Sequence, residues 1–143
     1  MMAEKARLFN DQLNYDKILK SKSPGQAKQF GRAVKSFDEE TWKQNRIEIF
    51  KKGNLAKLGQ NLELKKYLLG TNTRILVEAS PVDIIWGIGL SKDSEHCHNP
   101  LKWRGPNLLG FTLMEVREAT SYTIHFNLKS LIHVKQFERT TFF

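Results

Sequence analysis

Residues Arg74 to Leu90 read RILVEASPVDIIWGIGL, and the reading of this stretch decides the fold. Ile75, Leu76 and Val77 are a short apolar run of strand composition, which predicts a buried strand over 74–79. Pro81 then breaks the run, and Glu78, Asp83 and Trp86 fall around a turn that ends in Gly87-Ile88-Gly89. A core strand has no need of two carboxylates and a tryptophan where it runs into a loop. A binding site does, because reacting groups are held on loops carried by rigid elements.

Upstream of this stretch the pattern is helical. Met2, Ala6, Phe9 and Leu13 recur at helical spacing and predict one amphipathic helix from residue 1 to about 13. Ser23-Pro24 is a helix start, with Ala27, Phe30 and Val34 as its buried stripe. Asp38 caps a longer helix, on which Phe37 and Trp42 have the spacing of a hydrophobic staple; Gly53-Asn54 is expected to stop it after about Lys52. A short helix covers Leu62 to Leu69 and ends at Gly70. Downstream, a long loop runs from Ser80 to about Gly105, and Pro106 opens a last helix packed by Leu108, Leu109, Phe111, Leu113 and Met114. Tyr122, Ile124, Phe126 and Leu128 then alternate with polar residues, the period of a half-buried strand. The expected fold is therefore α+β, a compact helix-rich single domain with a small sheet. Its domain is expected to span 1–118, followed by a divergent tail at 119–143.

Composition narrows the function classes. With 143 residues, 40% of them hydrophobic, the chain can bury a core without disulfide or metal staples. A single cysteine, Cys97, can make no internal disulfide, which fits a reducing cytosol and a cytoplasmic location. No run reaches the length of a membrane-spanning helix, and no signal-peptide pattern opens the chain. The net charge of +8 is spread through every segment; solubility, an anionic small ligand and a polyanion all fit it. A general nucleic-acid module fits least, because the basic residues are not interleaved with aromatics in one element.

Several constellations carry chemistry, each beside a plainer reading. Glu78 and Asp83 can work as paired carboxylates, one staying ionised against the positive charge that develops at a sugar anomeric carbon. A turn acceptor and a loop cap would look the same. Trp86 can stack on a heterocycle or simply pack, whereas Trp42 is already explained as a core staple. Gly105-Pro106-Asn107 can offer helix N–H groups to a phosphate, or be an ordinary helix start. Lys5, beside Glu4 and Arg7, can form a Schiff base with an opened sugar, or lie on a solvated helix face. His96-Cys97-His98 cannot easily converge on one ion, so neither metal nor cofactor is expected.

Taken together, MMAEKARLF, SPGQAKQFGRAVKSFD, the Trp42-to-Arg46 spacing, LLGTNTRILVEASPVDIIWGIGL and WRGPNLLGFTLMEVR resemble the NADAR, or YbiA-like, superfamily over residues 1 to about 118. The resemblance implies a helix-rich α+β fold and a hydrolase that cleaves N-glycosidic bonds. Its substrates would be ribosylamino-pyrimidine phosphates of riboflavin biosynthesis or ADP-ribose derivatives, with nucleic acid entering only as an ADP-ribosylated substrate. By position, Asp83 and Lys5 would be the catalytic residues. Trp86 and Gly87 would belong to the substrate pocket, Asn107 and Gly110 would line its phosphate or ribose side, and Glu78 would orient the turn. A stretch that precedes the MMAEKA helix in the family, and supplies a catalytic acid, is expected to be absent. The alternative is a catalytically defective NADAR remnant that binds ADP-ribose-like or nucleotide ligands.

Overall fold

A computed structural model describes residues 1–122 of the protein, in which Asn10 and Asp11 cut the expected first helix in two. Helix α1 spans Met2–Leu8 and α2 spans Gln12–Leu19. Asn10 takes the left-handed conformation, φ 55°, which asparagine tolerates better than most residues. Asp11 follows as the N-cap of α2, its side chain accepting from the Asn14 N–H. Helix α3, Pro24–Arg32, starts as the sequence predicts, with Ser23 accepting from the Gln26 N–H. Helix α4, Glu39–Gln60, also begins at the expected cap, since Asp38 accepts from the Thr41 N–H at 2.7 Å.

It does not stop at Gly53-Asn54. The Asn54 side chain bonds back to the Phe50 carbonyl at 2.8 Å instead of terminating the helix, and the chain turns only at Asn61. Asn61 caps α5, Leu62–Leu69, which ends at Gly70 as the sequence predicts. After a 3-10 turn at Pro100–Lys102, α6 covers residues 108–122. The expected boundary at 118/119 therefore falls inside this helix.

The chain forms two compact units, Met1–Asn54 and Leu55–Phe143. In the first, Ala6, Ile18 and Val34 are the buried centre, with Met2, Phe9, Tyr15, Ala27 and Phe30 packed around them. A side chain at Gly31 would strike Met2, so glycine lets α1 and α3 approach. In the second unit, Leu58, Leu68 and Val116 form one cluster, with Leu76 and Leu113 against it. Ile88, Leu90 and Cys97 form another, closed by Ala79 and Trp103. The Trp103 indole N–H donates to the Cys97 carbonyl at 2.9 Å.

The expected α+β class needs correction: among the described residues no strand or sheet is formed. The buried strand expected over 74–79 is corrected with it: of the apolar run only Leu76 packs against a core cluster, while Ile75 and Val77 are exposed. Its hydrogen-bond partner is a side chain, not a second strand. Asn107 donates from Nδ2 to the Leu76 carbonyl at 2.9 Å and accepts the Glu78 N–H on Oδ1 at 3.0 Å. One carboxamide thus offers the donor and acceptor that a neighbouring peptide would have supplied. An apolar run reports affinity for a core; it does not report what lies against the backbone. The strand expected from Tyr122 to Leu128 lies outside the described residues, except for Tyr122, which is in α6.

Candidate functional site

Six of the seven expected site residues are drawn together in the second unit, around the loop that follows Glu78. Asp83 organises it. Its Oδ1 accepts the N–H of Ile85 at 3.0 Å and of Trp86 at 2.7 Å, the side-chain turn that aspartate makes readily. The loop closes where the Ile88 N–H donates to the Glu78 carbonyl at 3.0 Å and the Gly89 N–H to the Asp83 carbonyl at 3.2 Å. Gly87 sits at the crossing. A Cβ there would come within 2.7 Å of the Glu78 oxygen and 2.9 Å of the Asp83 oxygen, so no larger residue fits without moving backbone.

The same loop seals the start of α6. The Trp86 carbonyl accepts the Leu109 N–H at 2.9 Å, and the Gly87 carbonyl accepts the Asn107 N–H at 3.2 Å. Of the Gly105-Pro106-Asn107 stretch expected to offer N–H groups to a phosphate, proline has none, the Asn107 N–H is the one just named, and the Gly105 N–H donates to the Ile88 carbonyl at 3.2 Å. Asn107 is fully buried, with φ 53°, and its carboxamide is committed to Leu76 and Glu78. At Gly110, a Cβ would collide with the Leu76 carbonyl oxygen and the Asn107 carboxamide. Asn107 and Gly110 therefore support the backbone that leads into the loop, while Glu78, Asp83 and Trp86 are each half-buried residues. A separate cavity of about 610 Å³, lined by Leu69, Asn72, Thr73, Met114 and Arg117, contains none of these residues.

Lys5, the seventh residue, belongs to the first unit and is not on a solvated face. Its Nζ donates to the Gly31 carbonyl at 3.0 Å and lies 4.0 Å from the centre of the Phe37 ring and 5.7 Å from that of Trp42. Glu4 turns elsewhere, pairing with Arg7 at 2.7 Å. Burial pushes the Lys5 amine below the ordinary lysine pKa, and the negative charge of Glu39 pulls it partly back up. More of it is free amine near neutral pH than for a solvated lysine, and only the free amine can attack a carbonyl.

Sequence reasoning missed the surroundings of Lys5. The staple spacing joined Phe37 to Trp42 but gave no hint that both rings face the lysine. Phe37 reaches it because Ser36 takes a left-handed turn, φ 51°, and its ring stacks edge-on with Phe9 at 5.3 Å. In the His96-Cys97-His98 stretch, Cys97 is buried and donates to the Lys92 carbonyl, while His96 is exposed beside Glu95. Among the described residues, no helix is long and apolar enough to cross a membrane.

Comparison with known proteins gives the class. The NADAR domain matches residues 1–120, and the chain belongs to that family. It is 42% identical over 118 residues to N-glycosidase R617 of Acanthamoeba polyphaga mimivirus. It is 39% identical over 119 residues to Protein irg-1 of Caenorhabditis elegans, and 32% identical over 113 residues to N-glycosidase YbiA of Escherichia coli K12. The matches take in 82%, 82% and 79% of this chain, and 69%, 56% and 64% of the respective relatives.

Proposed function

We propose that this chain hydrolyses the N-glycosidic bond of a phosphorylated N-riboside, either a ribosylamino-pyrimidine phosphate or an ADP-ribose derivative. Two of the relatives are named N-glycosidases, which supports the reaction class. The observation that carries the reading is the placement of Lys5, whose amine is desolvated and aimed by the Gly31 carbonyl and two rings.

In the proposed reaction the sugar C1 is attacked by Lys5 or by water. If Lys5 attacks the opened sugar, its nitrogen bonds to C1, the base departs with a proton, and water hydrolyses the resulting lysine imine. If water attacks, the base leaves as C1 acquires positive charge. In either case a fixed anion lowers the barrier, because preorganised charge needs no rearrangement as the transition state forms. Asp83 is assigned that role, with Trp86 as the stacking surface for the base and Glu78 and Gly87 shaping the turn.

The test is base release followed by chromatography, from a ribosylamino-pyrimidine phosphate and separately from ADP-ribosylated guanosine. Wild-type chain should release base from one of them, and Asp83→Ala or Lys5→Met should each reduce the rate at least about a hundredfold. Borohydride added during turnover decides the nucleophile: an imine at Lys5 becomes a permanent adduct visible by mass spectrometry. A folded chain that releases neither base, or one indifferent to both substitutions, would overturn the proposal.

A further inference from the structure

Between the turn that follows α5 and the C-terminal half of α6 lies the cavity of about 610 Å³, apart from every residue assigned to chemistry above. A volume of that size accommodates a small molecule. Leu69, Met114 and Tyr122 give it apolar walls, and its charged lining is one arginine and one glutamate, Arg117 and Glu118.

Arg117 is only 7% exposed, yet the cavity reaches it. Its Nη1 donates to the Thr71 hydroxyl at 2.7 Å and to the Arg74 carbonyl at 2.9 Å, two points of the turn after α5. Those bonds fix the plane of the guanidinium. Both leave from one nitrogen, and no ion pair among the described residues includes Arg117, so the Nε–H and Nη2 side of the fork is left for a ligand. A buried guanidinium is stable when an anion meets it, and a carboxylate matches two parallel N–H donors. Glu118 narrows the choice of anion. It is exposed at the cavity's edge, where its charge opposes a doubly negative ligand and attracts an ammonium. Met114, Arg117 and Glu118 stand at positions i, i+3 and i+4 of α6, on one face of the helix. Opposite charges at neighbouring positions suit a ligand whose own two charges sit on one carbon, and the apolar walls suit its side chain.

We propose that this cavity binds an apolar α-amino acid, with its carboxylate on Arg117, its ammonium toward Glu118 and its side chain against Leu69, Met114 and Tyr122. The site is separate from the N-glycosidase chemistry proposed above and uses none of its residues.

Titration calorimetry on the full chain tests it with three probes: leucine, leucinamide, which lacks the carboxylate, and 4-methylpentanoate, which lacks the ammonium. Wild type should bind leucine about tenfold to a hundredfold tighter than leucinamide, and about threefold tighter than 4-methylpentanoate, because an exposed ion pair is worth less than a buried one. Glu118→Gln should erase the smaller difference and keep the larger. Arg117→Lys loses the fork and should bring leucine down to the level of leucinamide. Because Arg117 also ties down the turn after α5, Thr73→Trp stands in if that variant does not fold by circular dichroism; Thr73 is exposed on the cavity wall, and a bulky ring there should abolish leucine binding. A wild type that does not bind leucine, or binds leucinamide as well, would overturn the proposal. So would equal binding of leucine and 4-methylpentanoate, which would reduce the site to a carboxylate pocket, or a folded Thr73→Trp with unchanged affinity. None of these readouts uses base release, so the result stands apart from the catalytic reading.

Discussion

Each unit ties a distant stretch of backbone to the start of a helix with one buried polar side chain, and the two side chains differ in a single functional group. In the first unit Asp11, ahead of α2, accepts the Lys35 N–H at 2.8 Å, the Asn14 side-chain amide at 2.7 Å and the Asn14 N–H at 3.1 Å. In the second, Asn107, ahead of α6, donates to Leu76 and accepts from Glu78. A carboxylate can only accept, so the Ala33 carbonyl beside Lys35 must be met by Asn14, at 3.0 Å. A carboxamide donates and accepts, so one residue holds both points of the 76–78 segment. Both tethers bear on the residues assigned to chemistry. Asp11 secures the turn that leads through Ser36 to Phe37 over Lys5, and Asn107 secures the entrance to the Asp83 loop.

The second tether depends on close approach, and the largest effect is expected where that approach is spoiled. Replacing a helical glycine by alanine normally stabilises by up to about 1 kcal/mol. Gly59 of α4, where a Cβ would meet nothing, should behave this way. Gly110→Ala should do the reverse, costing about 4 kcal/mol, because its Cβ would drive the Leu76 carbonyl and the Asn107 carboxamide apart. Urea unfolding midpoints measure both. A Gly110→Ala chain as stable as wild type would mean that α6 and residue 76 are not in contact.

Removing the tether itself should cost somewhat less. Asn107→Ala leaves a half-buried N–H and a half-buried carbonyl without the carboxamide and should destabilise by about 2 kcal/mol. Asn107→Asp separates the two bonds. It keeps the acceptor for Glu78, loses the donor for Leu76 and adds a buried charge, so it should be no better than alanine. If the aspartate variant matched wild type, the donor half of the tether would be irrelevant and the contrast with Asp11 would fail.

These tethers mark the limit of what the sequence discloses. Helix starts at Ser23, Asp38 and Asn61 are local events, an oxygen reaching an N–H three residues on, and all three are found as caps. The first two are legible as such, because the caps sit directly before an apolar stripe. The Asn10-Asp11 break obeys the same rule, yet the helical spacing of Met2, Ala6, Phe9 and Leu13 runs straight across it and masks it. The role of Asn107 joins residues about thirty positions apart, and no pattern near Gly105-Pro106 announces that its amide faces inward. Asp83 was legible as both a turn former and a charge, and the structure shows the turn. For Lys5 the composition of α1 suggests a solvated face; only the folded position of Phe37 and Trp42 reveals otherwise.

Acid should separate the two tethers, with the smallest effect and the clearest sign. The three N–H groups that converge on Asp11 hold its carboxyl pKa down to about 2, the backbone N–H of Lys35 contributing most. In the unfolded chain an aspartate titrates near about 3.9. The stability that Asp11 contributes is therefore complete above that value and is lost as pH falls toward 2, because only the unfolded chain gains a proton across that window. Asn107 carries no proton to gain, so its tether is indifferent to the same change. The thermal midpoint of Asp11→Asn should lie below that of wild type at neutral pH, and the gap should close between about pH 4 and pH 2. The deficit of Asn107→Ala should stay constant over that range. Two parallel gaps would show that Asp11 works as a neutral acceptor. A gap that widened in acid would place its folded pKa above the unfolded one and reverse the assignment. If only the Asp11 gap closes, the folded carboxyl has stayed ionised while the unfolded one took its proton, and the turn that leads to Phe37 keeps its tether until the pH falls to about 2.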